Sequence, residues 1–216
     1  MTKKEIVQYL KQNMPTFTGN KIEKEKKMAM YIYLELGKMK AFDEKYFFGN
    51  SKTKDKIYKM AKCAKYNVDS VAQKKKIVCV SLTYLCKSIY SEFGIKSYIS
   101  TPNGGDKHIY NIIQFSDGKN IKADLQQDLS NIQTKSRTTS FAQGYDCAEE
   151  NLDVFSNEEI YEIQRQLGYV NDSSEYMDEK IRDLTNKVKD LPPDKLLETV
   201  INDKDISRFN EQLEYI

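Results

Sequence analysis

Residues 77–94 have the sequence IVCVSLTYLCKSIYSEFG, and the fold prediction starts from this stretch. Its apolar residues recur at spacings of three and four, which is typical of a helix with 3.6 residues per turn. Gly94 favours a helix end, and Cys79 falls near the helix start. The stretch therefore predicts a helix of about four turns with a cysteine at its N-terminus.

The residues after this helix predict the strands of a small antiparallel sheet. Strand-forming side chains fill residues 98–100 and 108–115, with a turn between them at 102–106. A second turn at 116–120, Ser-Asp-Gly-Lys-Asn, is typical of a hairpin and leads into a returning strand at 121–124. The middle of the chain therefore predicts the order helix, strand, strand, strand.

Helices are predicted on both sides of this core. Periodicity, start signals and stop signals place them at residues 2–12, 22–37, 54–65, 156–168, 174–190 and 193–216. Residues 125–150 are polar and weakly patterned, so they form either a functional loop or an element that periodicity misses. The fold class that follows is α+β, with a cysteine-bearing helix and a small antiparallel sheet surrounded by N- and C-terminal helices.

The net charge of +2 conceals two opposite segments. Residues 1–150 contain 26 basic and 16 acidic side chains, a net charge of +10, whereas residues 151–216 contain 8 and 16, a net charge of −8. A composition of 39% hydrophobic and 31% charged residues is typical of a soluble globular protein. We expect a basic domain over 1–150, with its core near 77–126, and an acidic helical extension over 151–216 packed on that core.

Apolar runs in the chain are short. The longest uncharged run near the middle, residues 77–86, spans ten residues, whereas a membrane-spanning helix needs about twenty. Glu5, Gln8 and Lys11 interrupt the N-terminus, so it lacks the apolar region of a signal peptide. We expect no membrane span, and a protein that is cytoplasmic or delivered into another cell without a cleavable signal peptide.

Cysteine and histidine usage excludes several kinds of site. The four cysteines are too scattered for a disulfide framework and form no CxxC pair, which favours reduced cytosolic thiols. His108 is the only histidine, which excludes two-histidine iron sites and histidine-rich zinc sites. We therefore expect neither a metal nor a cofactor.

Three residues in chain order have the properties of a nucleophilic site. Cys79 begins a helix, whose N-terminal partial charge and N–H groups favour a thiolate over a thiol. His108 heads a strand and Asp124 ends the strand that returns from the hairpin, so the two can lie on adjacent strands. The histidine can then accept the thiol proton while the carboxylate fixes its tautomer, which predicts a catalytic triad.

Several other residues are weaker candidates. Cys63, Cys86 and Cys147 are alternative nucleophiles, and Cys86 lies two turns beyond Cys79 on the same face, as expected of a core residue. An oxyanion site needs hydrogen-bond donors, which the backbone N–H of Cys79 and the side-chain amide of Gln73 can supply. A solvated loop glutamine is the alternative interpretation of Gln73, and Tyr66 and Asn67 are further donors that the sequence does not rank.

These residues carry a resemblance to the transglutaminase-like superfamily within the papain-like cysteine fold. The matching features are Cys79, its helix ending at 93–95, the strand beginning with His108, and Asp124 after Asp-Gly-Lys at 117–119. One position departs from the superfamily's pattern and another agrees with it. Val78 stands where a glycine often precedes the cysteine, whereas Tyr110 supplies the aromatic that commonly follows the histidine by two. The resemblance covers about residues 77–126, and the papain oxyanion glutamine is similar to Gln73 in its spacing of six before the cysteine.

The resemblance implies thiol-mediated acyl transfer on a protein or peptide amide. Cys79, His108 and Asp124 are the implied nucleophile, base and orienting acid. Water as the second substrate implies a cysteine protease or a glutamine deamidase, and an amine implies a transglutaminase. The superfamily also resembles arylamine acyltransferases, which act on small molecules, and bacterial effectors that modify host proteins.

Two non-enzymatic interpretations stay open. In the first, the protein is a charge-polarised interaction module whose basic segment binds acidic partners. Its lysines are densest at 74–76 and at Lys21, Lys24, Lys26 and Lys27. We expect no nucleic acid partner, because acidic residues are interspersed there and no nucleic-acid-binding motif occurs. The other alternative is a scaffold domain that keeps the triad. The sequence leaves the oligomeric state open.

Overall fold

The structure is a computed structural model that describes residues 1–101, 108–135, 138–142 and 152–169. All of these residues belong to one compact unit, Met1–Asn171. The helices of the described residues are α1 (Lys3–Asn13), α2 (Lys21–Met39), α3 (Glu44–Phe48), α4 (Ser51–Lys62), α5 (Asp69–Ala72), α6 (Cys79–Glu92), α7 (Leu125–Gln133) and α8 (Asn157–Gln166). The strands of these residues are β1 (Ala41–Phe42), β2 (Lys76–Ile77), β3 (Lys96–Ser100), β4 (Tyr110–Gln114) and β5 (Asn120–Ala123). The predicted α+β class is confirmed.

Helix α6 is the central element of the unit. It packs against α1, α2, α4, α5, α7, β3 and β4. Its apolar residues are buried on most sides, as are Ser81 and Thr83. Gly94 ends the helix with a φ of +71°, a backbone conformation that glycine adopts at little cost. The predicted helix is therefore confirmed, and Cys79 is its first residue.

Three strands form an antiparallel sheet in the order β3-β4-β5. Ser100 pairs with Tyr110, and Asn111 pairs with Ala123. The β4–β5 turn is closed by the Gly118 N–H, which donates to the Phe115 carbonyl over 3.0 Å, and Gly118 has a φ of +90°. The predicted hairpin is confirmed, although β4 begins at Tyr110 and leaves His108 two residues before the strand.

The structure contains elements that the sequence pattern did not predict. β1 and β2 form a two-stranded parallel sheet. Helix α7 occupies the first part of the segment 125–150, which periodicity left without structure. Leu125, Leu129 and Ile132 give α7 a buried side at spacings of four and three.

The remaining helix predictions are confirmed in type. α1 and α2 extend to within two residues of the predicted bounds, and both begin with a capping box. The predicted helix at 54–65 is α4 followed by a 3₁₀ turn, Cys63–Lys65. α8 begins after Ser156, whose hydroxyl accepts the Glu159 N–H.

Some predictions lie outside the described residues. They are the turn at 102–106, Cys147, and the helices at 174–190 and 193–216. Within the part of the chain that the structure describes, no helix combines the length and the apolar character that crossing a membrane requires.

Candidate active site

Cys79 is the first residue of α6, after Val78 with extended backbone angles. The first turn of a helix leaves N–H groups without partners inside the helix, and Val78 makes no side-chain cap there. Such groups, with the helix dipole, stabilise negative charge at this end. The Cys79 side chain is almost fully covered, with 4% of the residue exposed. The thiol therefore lies in a site that favours an anion and that neighbouring side chains enclose.

The short parallel sheet holds the segment that leads to Cys79. Lys76 and Ile77 pair with Ala41 and Phe42. The buried Lys40 ammonium donates to the carbonyls of Ala72 and Lys74, over 2.5 and 2.8 Å. Burial lowers the pKa of Lys40. The backbone before Cys79 is thus attached to the end of α2 by main-chain and side-chain bonds.

His108 and Asp124 are in direct contact. His108 Nε2 lies 2.5 Å from Asp124 Oδ2, and the aspartate is 2% exposed. Hydrogen bonds from Asp124, first, and from Cys79, second, outweigh desolvation and raise the pKa of His108 from 6.5 to about 10. The imidazole therefore holds a proton at neutral pH, the state in which it can deliver one to a leaving group.

The Cys79 side chain hydrogen-bonds to the same imidazole. Because Asp124 occupies Nε2, the ring nitrogen that remains for the thiol is Nδ1. Thr83, one turn after Cys79 on α6, donates its hydroxyl to the Ile109 carbonyl over 3.0 Å. Asn111 Nδ2 donates to the Thr83 carbonyl over 3.2 Å. These two bonds attach the backbone around His108 to the helix that carries the cysteine.

Asp124 itself is fixed by its backbone and by a buried lysine. Its N–H donates to the Ser140 carbonyl over 3.0 Å, where residues 140–142 run beside β5. Lys122, 2% exposed, places its Nζ 3.9 Å from Asp124 Oδ2 and 4.7 Å from the Tyr110 ring centroid. The two opposite charges therefore lie close together in the interior, where neither is exposed to water.

A second buried carboxylate, Asp128 on α7, holds the segment that binds Asp124. It accepts the Ser140 N–H over 2.9 Å, the Thr139 N–H over 2.8 Å and the Tyr33 hydroxyl over 2.7 Å. Burial, the largest influence, raises the pKa of Asp128 against these bonds. The position of Asp124 therefore depends on an extended polar network.

Apolar and aromatic side chains also pack around Cys79. Cys79 forms a buried cluster with Ala61, Val78 and Val80, against which Tyr46, Ile57, Tyr58, Tyr84 and Ile109 pack while partly exposed. Burial, followed by the charge of nearby Cys79, raises the pKa of Tyr46. These side chains come from α3, α4 and α6 and from the residue after His108, and they pack around the cluster that contains the thiol.

The other predicted residues are not brought to the thiol by any contact in the described part of the chain. Gln73 is exposed at the end of α5, and β2 separates it from Cys79. Tyr66 and Asn67 are also exposed. Cys63 is exposed, and Cys86 is buried in the core, where desolvation raises the pKa of its thiol to about 12. Lys122, Thr83 and Tyr46 were missed, because their positions depend on pairing between distant segments.

No group of three or more His, Cys, Asp or Glu side chains among the described residues is arranged to hold a metal ion. Comparison with known proteins found no matching family model, curated protein or solved structure.

Proposed function

We propose that this protein is a thiol-dependent acyl-transfer enzyme that acts on a protein or peptide amide. The observation that carries the proposal is the hydrogen-bonded series Cys79, His108, Asp124, with the cysteine at a helix N-terminus. The element order of cysteine helix, antiparallel sheet and aspartate after a hairpin supports a transglutaminase-like core of the papain-like fold. Cysteine protease and glutamine deamidase are the activities we favour.

The reaction follows from the roles of the three side chains. The Cys79 thiolate attacks the amide carbonyl, forming a C–S bond, while first-turn N–H groups of α6 stabilise the oxyanion. The C–N bond breaks as the His108 imidazolium gives its proton to the departing amine or ammonia. His108, now neutral, removes a proton from water as its oxygen attacks the thioester, and the C–S bond breaks. This step releases a carboxylic acid, which loses its proton to solvent, and restores the Cys79 thiolate with the imidazolium. Asp124 keeps the ring oriented throughout and stabilises its charged form.

Thiol alkylation tests the nucleophile without knowledge of the substrate. If exposure alone set the rate of alkylation, Cys63 would react faster than Cys79. A helix-terminal thiol that is hydrogen-bonded to an imidazole is instead expected to react faster, although it is buried. We expect iodoacetamide near neutral pH to modify Cys79 first, as located by peptide mass spectrometry, and His108→Ala to slow that reaction about a hundredfold. Labelling in the order of exposure, Cys63 before Cys79, would contradict the proposal.

The reaction itself is tested by mass spectrometry of cellular proteins incubated with the wild type or Cys79→Ala. New termini indicate proteolysis, a gain of about one dalton indicates deamidation, and joined peptides indicate crosslinking. Identical peptide profiles for the two proteins, with Cys79 alkylated no faster than Cys63, would remove the enzymatic proposal.

A further inference from the structure

The positive charge of the protein is concentrated beside the candidate nucleophile. Residues 43–76 contain ten lysines and four acidic residues, a net charge of +6, out of the +10 carried by residues 1–150. This segment includes α3, α4 and α5, and it ends at Lys76, the first residue of β2, three residues before Cys79 begins α6. The charge is thus a local property of one side of the site.

Helix α4 presents this charge to solvent. Its five lysines, all exposed, are Lys52, Lys54, Lys56, Lys59 and Lys62. Within the described ranges, no ion pair neutralises any of them, and the one acidic residue of α4, Asp55, is exposed as well. Lys52, Lys56, Lys59 and Lys62 follow one another at spacings of four and three, so they share one side of the helix. Like charges at these spacings cost stability through repulsion, which a partner of opposite charge relieves.

The same helix is in contact with the thiol cluster. Ala61 of α4 is buried with Cys79, and Ile57 and Tyr58 pack beside them. Lys62 Nζ lies 4.7 Å from the centroid of the Tyr58 ring, so one ammonium group is separated from the cluster by a single side chain. The apolar side of α4 therefore touches the nucleophile while its basic side faces outward.

A small cavity connects α4 with the lysines that precede Cys79. It has a volume of about 40 Å³, and its lining includes Ile57 and Ala61 of α4, Lys74 and Lys76, and Ser81 from the first turn of α6. Lys74 and Lys76 are exposed. The lining also includes Asp43, and α4 contributes only apolar side chains to it. Lys74 and Lys76 therefore lie across this cavity from the apolar side of α4, next to the start of α6.

We propose that this basic surface, formed by Lys52, Lys54, Lys56, Lys59, Lys62, Lys74, Lys75 and Lys76, binds an acidic segment of a protein substrate. The inference rests on the proposed function, because an amide that enters the site must lie against the Cys79 cluster. Ile57, Tyr58 and Tyr84 then contact an apolar side chain near the reacting amide, and the lysines contact carboxylates that flank it. A polypeptide is favoured over a nucleic acid because it supplies both the amide and the apolar side chain.

Binding is measured with Cys79→Ala protein and two fluorescein-labelled peptides, in which a central Leu-Gln-Gly is flanked by glutamates or by lysines. We expect the glutamate peptide to bind at least about tenfold more tightly, with an affinity that falls as salt rises. The variant Lys52→Glu, Lys54→Glu, Lys59→Glu is expected to lose most of this preference. A matched control is Lys24→Glu, Lys96→Glu, Lys119→Glu, which reverses the same number of exposed charges near the β4–β5 turn.

Three outcomes overturn the inference: equal binding of the two peptides, equal losses in the two variants, or tighter binding of a labelled single-stranded oligonucleotide that the α4 variant abolishes. Because the Cys79→Ala protein used to measure binding lacks the thiol, the measured affinity is independent of catalysis. If the two peptides bind equally while Cys79 is alkylated selectively, the substrate class is wrong and the proposed function stands. If the glutamate peptide binds more tightly while Cys79 is not alkylated selectively, the surface binds acidic segments and the proposed function is wrong.

Discussion

The two sides of Cys79 are built from different kinds of interaction. On one side, His108, Asp124 and Asp128 have their hydrogen bonds made within the protein, and both aspartates are buried. On the other side, Tyr46 and Tyr58 are partly exposed, and the lysines of α4 have no ion pair among the described residues. Proton transfer needs fixed geometry, whereas substrate binding needs accessible surface. The first set of residues is therefore the proposed chemical side of Cys79, and the second is its proposed binding side.

The protonation of His108 gives the largest expected effect on the chemical side. The pKa of His108 is expected near 10 in the wild type and to fall toward 6.5 in Asp124→Asn, because that carboxylate is the first cause of the shift. A chain with one histidine allows a direct reading by NMR titration of the imidazole signals. The control is Asp117→Asn, which neutralises an exposed carboxylate in the hairpin turn and should leave the titration unchanged.

The sign of the stability effect follows from that shift. The folded pKa lies above the unfolded value of 6.5, so the stabilisation is complete below about pH 6.5 and is lost as pH rises toward 10. The free energy of unfolding of the wild type should therefore decline across this window more than that of Asp124→Asn. A wild-type titration near pH 6.5 would show that the chemical side is not organised as described.

Removal of the second carboxylate tests whether the chemical side is also a structural unit. Asp128→Ala leaves the Tyr33 hydroxyl and the N–H groups of Thr139 and Ser140 without their buried acceptor, at a cost of about 3 kcal/mol in the free energy of unfolding. The control Asp55→Ala, on the exposed binding side, should change it by less than about 0.5 kcal/mol. Denaturant unfolding measures both, and similar losses would contradict the division.

Local patterns allowed much of the chemical side to be predicted. Periodicity and Gly94 place the α6 helix with Cys79 at its start, and the turn containing Gly118 sets the hairpin that brings His108 and Asp124 together. Each of these signals acts over a few residues of chain. The polar contacts among Cys79, His108 and Asp124 follow once those elements pack.

Interactions between distant segments account for what the sequence did not predict. β1 and β2 have two residues each, and their pairing joins Ala41 with Lys76, for which no local pattern exists. Burial of Lys122 and Asp128 contradicts the general tendency of charged residues to be exposed, and it depends on partners such as Tyr33 and Ser140. The sequence of α7 has apolar residues at helical spacing, but the helix has only nine residues and most of them are polar, so its periodicity is weak.

Charged alkylating reagents give the smallest expected effect and test the binding side at the thiol itself. Iodoacetate is an anion and iodoacetamide is neutral, so the ratio of their rates with Cys79 reports the potential near the sulfur. Screened interactions over about 10 Å amount to a few tenths of a kcal/mol per charge. The α4 variant Lys52→Glu, Lys54→Glu, Lys59→Glu changes the charge by six units, so it should lower the ratio about tenfold at low salt. The Lys24, Lys96, Lys119 control should leave the ratio unchanged, and added salt should reduce the difference between the variants. If the two variants change the ratio equally, the net charge of the whole protein sets the potential at the thiol. That result would contradict a binding side formed by the α4 lysines.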